Sequence, residues 1–168
     1  MEPVVITLLL MVLVGAFGIK QYVKERKIKN GKLALALAYE QMVMKHRLQI
    51  EHVEVFDNRI IALDCKHKKL LFLHHHAADH QQELILLPEI ATLQLIEERE
   101  KGQGFIKKVY LALAPAEMNK TYLLCFYDHT KDAPMLLLPA MRRARNWKQR
   151  VDANRSPGMV NLEAELVI

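Results

Sequence analysis

The sequence predicts an α+β chain. An N-terminal transmembrane helix and a helical stalk lead into an antiparallel barrel or sandwich of about seven strands, which ends in one C-terminal helix. Three observations predict this. Residues 3–19, PVVITLLLMVLVGAFGI, carry no charge. Residues 49–128 break into short alternating runs separated by turn residues. From Pro139 the apolar positions return to three- and four-residue steps.

As a helix the uncharged run is about 25 Å long, slightly short of a ~30 Å hydrocarbon core. A snorkelling Lys20 and an interfacial Tyr22 close the gap. Met1 and Glu2 give no positive leading region, so the run reads as a retained anchor. Ala16-Phe17-Gly18 nevertheless has the small-x-small form of a signal-peptide cleavage site. The membrane-proximal basic residues Lys20, Lys24, Arg26, Lys27, Lys29 and Lys32 follow, opposed only by Glu25. Their position predicts an outside N-terminus and a cytoplasmic C-terminal domain. Cys65 and Cys125 lie far apart with no C-x-x-C spacing, which fits a reducing compartment. Beyond Lys32 the charges nearly cancel. The basic balance therefore marks one run and gives the domain no nucleic-acid surface.

The expected organisation is an anchor over 1–22, a basic juxtamembrane segment and helical stalk over 23–48, a β domain over 49–155 and a tail over 156–168. In the stalk, good helix formers place Leu33, Leu37, Gln41, Met44 and Leu48 on one face. Strands are expected at QIEHVEVF (49–56) and RIIALD (59–64), joined by the turn pair Asp57-Asn58. KLLFLHHH (69–76) follows, then ELILL (83–87), stopped by Pro88. EIATLQLIEERE (89–100), FIKKVYLALAPA (105–116) and TYLLCFYD (121–128) complete the set. Pro139 suits the first turn of a helix, on which Met141, Ala144, Trp147 and Val151 form an apolar stripe.

The stretch LHHHAADHQ holds the densest set of metal-type ligands. On a strand His74 and His76 share a face and His75 takes the other. His74, His76 and His80 form a candidate metal set if the following loop folds back, with Asp79 nearby. The plainer reading is a strand end and a polar loop, and no cofactor is expected. His52, His67 and His129 are expected at exposed positions. Ser156 is the only serine and lies beyond the last helix, which excludes a serine hydrolase. Cys125 reads as a small buried hydrophobe. Cys65, beside Lys66 and His67, reads as an exposed turn thiol, with a reactive, lowered-pKa thiol as the sharper alternative. Gly102 and Gly104 belong to a hairpin and not to a phosphate loop, and Glu97, Glu98 and Glu100 with Arg99 form a solvated strand end.

A meander of this kind closed by one amphipathic helix resembles a pleckstrin-homology-like domain, with Trp147 where that fold keeps a packing tryptophan. DNRIIALDCKHKKLLFL (57–73), FYD (126–128) and LPAMRRARNWKQRV (138–151) also resemble an uncharacterised group of small membrane-anchored bacterial proteins. The resemblance covers roughly residues 49–152. It implies a bacterial inner-membrane location and transfers no active-site residue. QIEHVEVFDNRIIALD has four acidic residues and one arginine, unlike the basic first hairpin of lipid-binding members.

The expected function is a non-enzymatic protein-interaction module, a single-pass membrane protein whose edge strand or helix face meets a protein partner. The candidate face is Arg142, Arg143, Arg145, Lys148 and Arg150. The alternatives are an anionic-lipid surface sensor and a histidine-based metal-binding protein. No nucleic-acid partner is expected, because only Trp147 accompanies those arginines.

Overall fold

The computed structural model describes residues 31–76, 79–100, 104–117 and 120–155, with the backbone alone for residues 76, 79 and 80. A helix, α1, runs through 31–46. Seven strands follow: β1 (His52–Phe56), β2 (Arg59–Asp64), β3 (Lys69–His76), β4 (Asp79–Leu86), β5 (Ile90–Arg99), β6 (Ile106–Pro115) and β7 (Tyr122–Asp128). A second helix, α2, spans Leu137–Asn154.

The strands form two antiparallel sheets, one in the order β1-β2-β3-β4 and one in the order β5-β6-β7. One barrel or sandwich of about seven strands is expected; the strands instead divide into sheets of four and three and no barrel closes, for two local reasons. Between β4 and β5 the chain makes a 3-10 turn, Leu87–Glu89, where Pro88 has no N–H to offer a ladder. Between β4 and β7 side chains replace the ladder. Gln81 Nε2 donates to the Leu123 carbonyl at 3.1 Å, and Lys120 meets Glu83 at 3.4 Å. Both sheets and α2 nonetheless share one core, from Ile61, Phe72 and Ile85 through Leu111 and Phe126 to Ala144, Trp147 and Val151.

The first sheet is covered on both sides. Strand alternation sends Ile61, Leu63, Leu70 and Phe72 to the shared core and Ile60, Ala62, Leu71 and Leu73 the other way. There α1 lies on the sheet through Leu35, Ala38, Tyr39, Met42 and Val43. The helix is therefore a packed layer and not a stalk. The buried stripe also differs from the expected one: Leu35 is 4% exposed and Leu48 8%, whereas Leu33 is 62% exposed, Leu37 50% and Met44 70%. LALALAYEQMVM is apolar on more than one side, and only the sheet selects which side is covered.

The expected transmembrane character is corrected as well. Among the described residues no helix is long and apolar enough to cross a membrane. α1 carries Lys32, Glu40 and Lys45, and α2 carries five cations between Arg142 and Arg150. The expected span at 3–19, the basic residues Lys20–Lys29 and the tail lie outside the described residues.

Candidate interaction surface

β1 is an edge strand that pairs with β2 alone among the described strands. The pair is set by a two-residue turn in which Asp57 (φ 40°) and Asn58 (φ 60°) are both left-handed, as a hairpin matching the twist of its strands requires. Asp and Asn tolerate that region better than most residues. The pleat then gives β1 two unlike faces. Val53 and Val55 lie on one, 52% and 69% exposed. Glu54 and the buried Phe56 lie on the other, where α2 meets them.

That meeting is specific. Glu54 accepts a hydrogen bond from Arg143 Nε at 2.7 Å and another from Trp147 Nε1 at 2.7 Å. The Arg143 guanidinium also sits 4.3 Å from the Phe56 ring centre, and that of Arg150 lies 5.1 Å from the Trp147 ring. Burial pushes the Glu54 carboxyl up. The hydrogen bonds from Arg143 and Trp147 and the charges of Arg143 and Arg150 outweigh it and hold the group below the ordinary range.

The five expected cationic residues of α2 do not act as one face. Arg143 is committed to Glu54. Arg145 turns across to Glu97 of β5 at 3.9 Å, and Lys148 pairs with Asp152 at 3.2 Å. Arg142 and Arg150 are exposed and form no ion pair among the described residues. Lys32, the one membrane-proximal cation among the described residues, is exposed near the start of α1.

The histidine stretch is a hairpin and not a strand end with a loop. β3 continues through His76, β4 starts at Asp79, and the register opposes His74 to Gln81, His75 to His80 and His76 to Asp79. In this register His80 stands across from His75, while His74 and His76 occupy the alternate positions of β3. His74 is buried at 6% exposure. No group of three metal-type ligands is found among the described residues. His52, His67 and His129 are exposed, as expected, and His67 Nδ1 lies 2.8 Å from Asp64 Oδ2. His129 packs against the Phe105 ring at 5.1 Å.

Burial pushes both thiols up. Glu51 and Asp64 add to the effect at Cys65, against a smaller opposing pull from Lys68. At Cys125, Arg59 opposes burial without overcoming it. The Glu97–Glu100 run dissolves into surface pairs, Arg99 with Glu97 at 3.5 Å and Lys107 with Glu100 at 3.4 Å.

Sequence reasoning missed Val53, Glu54 and Val55 as surface determinants. Their signal was present. A carboxylate sharing a strand face with a phenylalanine needs a buried partner, and two valines on the opposite face of a first strand are candidates for an open edge. Compared with protein-family models, curated proteins and solved structures, the chain matches none.

Proposed function

We propose that the chain is a non-enzymatic interaction module that takes an extended segment of a partner protein along the edge of β1 that no other described strand occupies. The observation that carries this reading is the pair of unlike faces on that edge strand, apolar at Val53 and Val55 and, on the other side, approached by α2, whose Arg143 stands over Phe56 and bonds Glu54 while the exposed Arg150 lies over the neighbouring Trp147 ring. An added strand alternates its side chains in step with β1. One set would lie beside the valines and the other beside the arginines. The matching ligand alternates apolar and acidic residues. Glu54 does not repel it, because Arg143 already neutralises that carboxylate.

One feature favours this reading over the lipid one: Arg145 and Lys148 face carboxylates, so the cations of α2 do not present a continuous plane. Burial pushes both thiols up, the opposite of the lowered pKa that activates a cysteine nucleophile.

The test is binding of a fluorescein-labelled peptide of alternating valine and glutamate to the full chain, read by anisotropy against a valine–lysine peptide. The acidic peptide binds, and the basic one does not. Val55→Lys and Arg150→Glu each weaken binding at least about tenfold, and salt weakens it further. Equal binding of the two peptides, or indifference to Val55→Lys, rules the reading out.

A further inference from the structure

Residues 162–166, in the stretch that follows α2, read Leu-Glu-Ala-Glu-Leu. On a strand Leu162, Ala164 and Leu166 share one side, and Glu163 and Glu165 take the other. β1 sorts a neighbouring strand in the same way. Val53 pairs with Ala62 and Val55 with Ile60, so the valines lie on the side of the first sheet that α1 covers. Glu54 pairs with Ile61, on the side of the shared core and α2. An added Leu-Glu-Ala-Glu-Leu strand would carry the apolar layer past the exposed valines and bring its two carboxylates under α2. There Arg150 is exposed, and it stands near enough for its charge to act on Glu54. Arg143 lies about two turns earlier on the same side of the helix.

The chain also leaves α2 at the right place. Arg143 lies over Phe56, at the end of β1, whereas near the end of the helix Asn154 Oδ1 accepts from Lys68 Nζ at 3.3 Å. Lys68 belongs to the turn between β2 and β3, at the end of the sheet where β1 begins. α2 therefore runs against the direction of β1, and a segment that reverses after the helix runs along β1 from His52 toward Phe56. Ser156-Pro157-Gly158 is a set of turn residues suited to that reversal. From the β2–β3 turn to the outer side of β1 is two to three strand spacings, roughly 10–15 Å. Residues 156–161 span up to about 20 Å when extended. Leu162–Leu166 then match β1, which is 5 residues long.

We propose, resting on the reading of β1 as a receiving strand, that residues 162–166 pair with the edge of β1 in the same molecule and compete there with any partner segment. The edge thus carries its own internal ligand, with Glu163 and Glu165 toward Arg143 and Arg150 and the leucines toward Val53 and Val55. An uncovered edge is a template for any extended chain. An internal strand restricts it to segments that pair better than Leu-Glu-Ala-Glu-Leu does.

The test compares the full chain with a Glu163→Lys, Glu165→Lys variant, which keeps the length of the segment and reverses its charge. Two quantities are read: hydrogen exchange at the amides of residues 52–56, and anisotropy of the fluorescein-labelled valine–glutamate peptide. In the parent the outward N–H groups of β1 exchange at least about tenfold more slowly than in the variant. The peptide binds the variant at least about tenfold tighter, because the internal strand no longer holds the site. Leu162→Ser with Leu166→Ser has the same two effects from the apolar side. Equal exchange of β1 in the parent and both variants overturns the internal strand; if the peptide then binds all three alike, the receiving edge stands without it. Loss of protection in the variants with no peptide binding to any form keeps the internal strand and removes the external partner. Protection that grows with protein concentration assigns the segment to a neighbouring copy and overturns pairing within one molecule.

Discussion

Asp132 holds the buried guanidinium of Arg59 through both carboxylate oxygens, at 2.9 and 3.3 Å, and so ties the start of β2 to the loop that follows β7. Arg59 is 1% exposed, and its Nη1 also donates to the Asp57 carbonyl at 3.1 Å. Asp132 in turn accepts from the backbone N–H of Asp128 at 2.8 Å. This pair joins the two sheets where no ladder does. Removing one partner leaves a buried charge uncompensated, so Asp132→Ala destabilises the fold by about 3–5 kcal/mol. Replacing both, Arg59→Met with Asp132→Leu, destabilises less than the single change. Urea unfolding of the three proteins checks this, and a double variant worse than Asp132→Ala refutes it.

Helix α1 gives a second contrast. Leu35→Ala removes a buried side chain and lowers stability by about 2–4 kcal/mol. Leu33→Ala and Leu37→Ala, on the exposed side, change it by less than about 0.5 kcal/mol. A free stalk would show no such difference, since none of the three leucines would then support the domain.

Acid should weaken the fold in a defined window. Glu54, Asp64 and Asp128 all titrate below their ordinary values. For Asp64, burial pushes upward, but the backbone N–H groups of His67 and Gln49 and the His67 ring outweigh it. For Asp128, burial is outweighed by Thr130 and by the charges of Lys108 and Lys131. A carboxylate with a depressed folded pKa adds stability above its unfolded pKa and loses it as the pH falls through the folded one. Stability is therefore level down to about pH 5 and declines below the ordinary values, 4.5 for Glu54 and 3.8 for the aspartates. Urea midpoints between pH 3 and 7 measure it. Asp64→Asn flattens the decline, and an unchanged slope in that variant would contradict the assignment.

Trp147 is the sole tryptophan and is fully buried, with its indole N–H on Glu54. Its emission in the native protein is that of a shielded indole, shifting to the red on unfolding and resisting iodide quenching before it. Glu54→Ala leaves the indole N–H without its acceptor and destabilises by about 1–3 kcal/mol. Native emission already at the solvent-exposed wavelength would mean that α2 is not seated on β1.

The strands were legible because each short run is bounded by a residue with one local meaning. Asp57-Asn58 turns the first hairpin, Pro88 interrupts the fourth run, and Pro139 lies within the first turn of α2. The pairing of sheets was not legible, since nothing in the Gln81 or Glu83 side chains announces that they bridge to β7 in place of a ladder. The face of α1 was misread for a different reason. Leu33 and Leu35 are chemically the same, and burial of one depends on Ile60 and Leu71 some twenty-five and more residues away. The α2 arginines were found as residues but not as partners. Whether Arg143 meets solvent or Glu54 depends on the crossing of two distant elements. The histidines depended on register, which the local text leaves open by one residue, and one residue exchanges the two faces.

β2 is covered on both sides, with Ile60, Ile61, Ala62 and Leu63 all buried, and it pairs alongside β1, which is an edge strand among the described residues. On the proposed function, a segment arriving at that edge would meet a strand backed by a fully buried neighbour. β1 is already held in register by β2, so as a receiving strand it would have little ordering left to undergo. The loss of conformational freedom on association falls on the incoming chain. Discrimination then rests on how readily that chain adopts an extended form before it arrives. A glycine-rich segment of the right charge would be disfavoured against a β-branched one, although both offer the same hydrogen bonds.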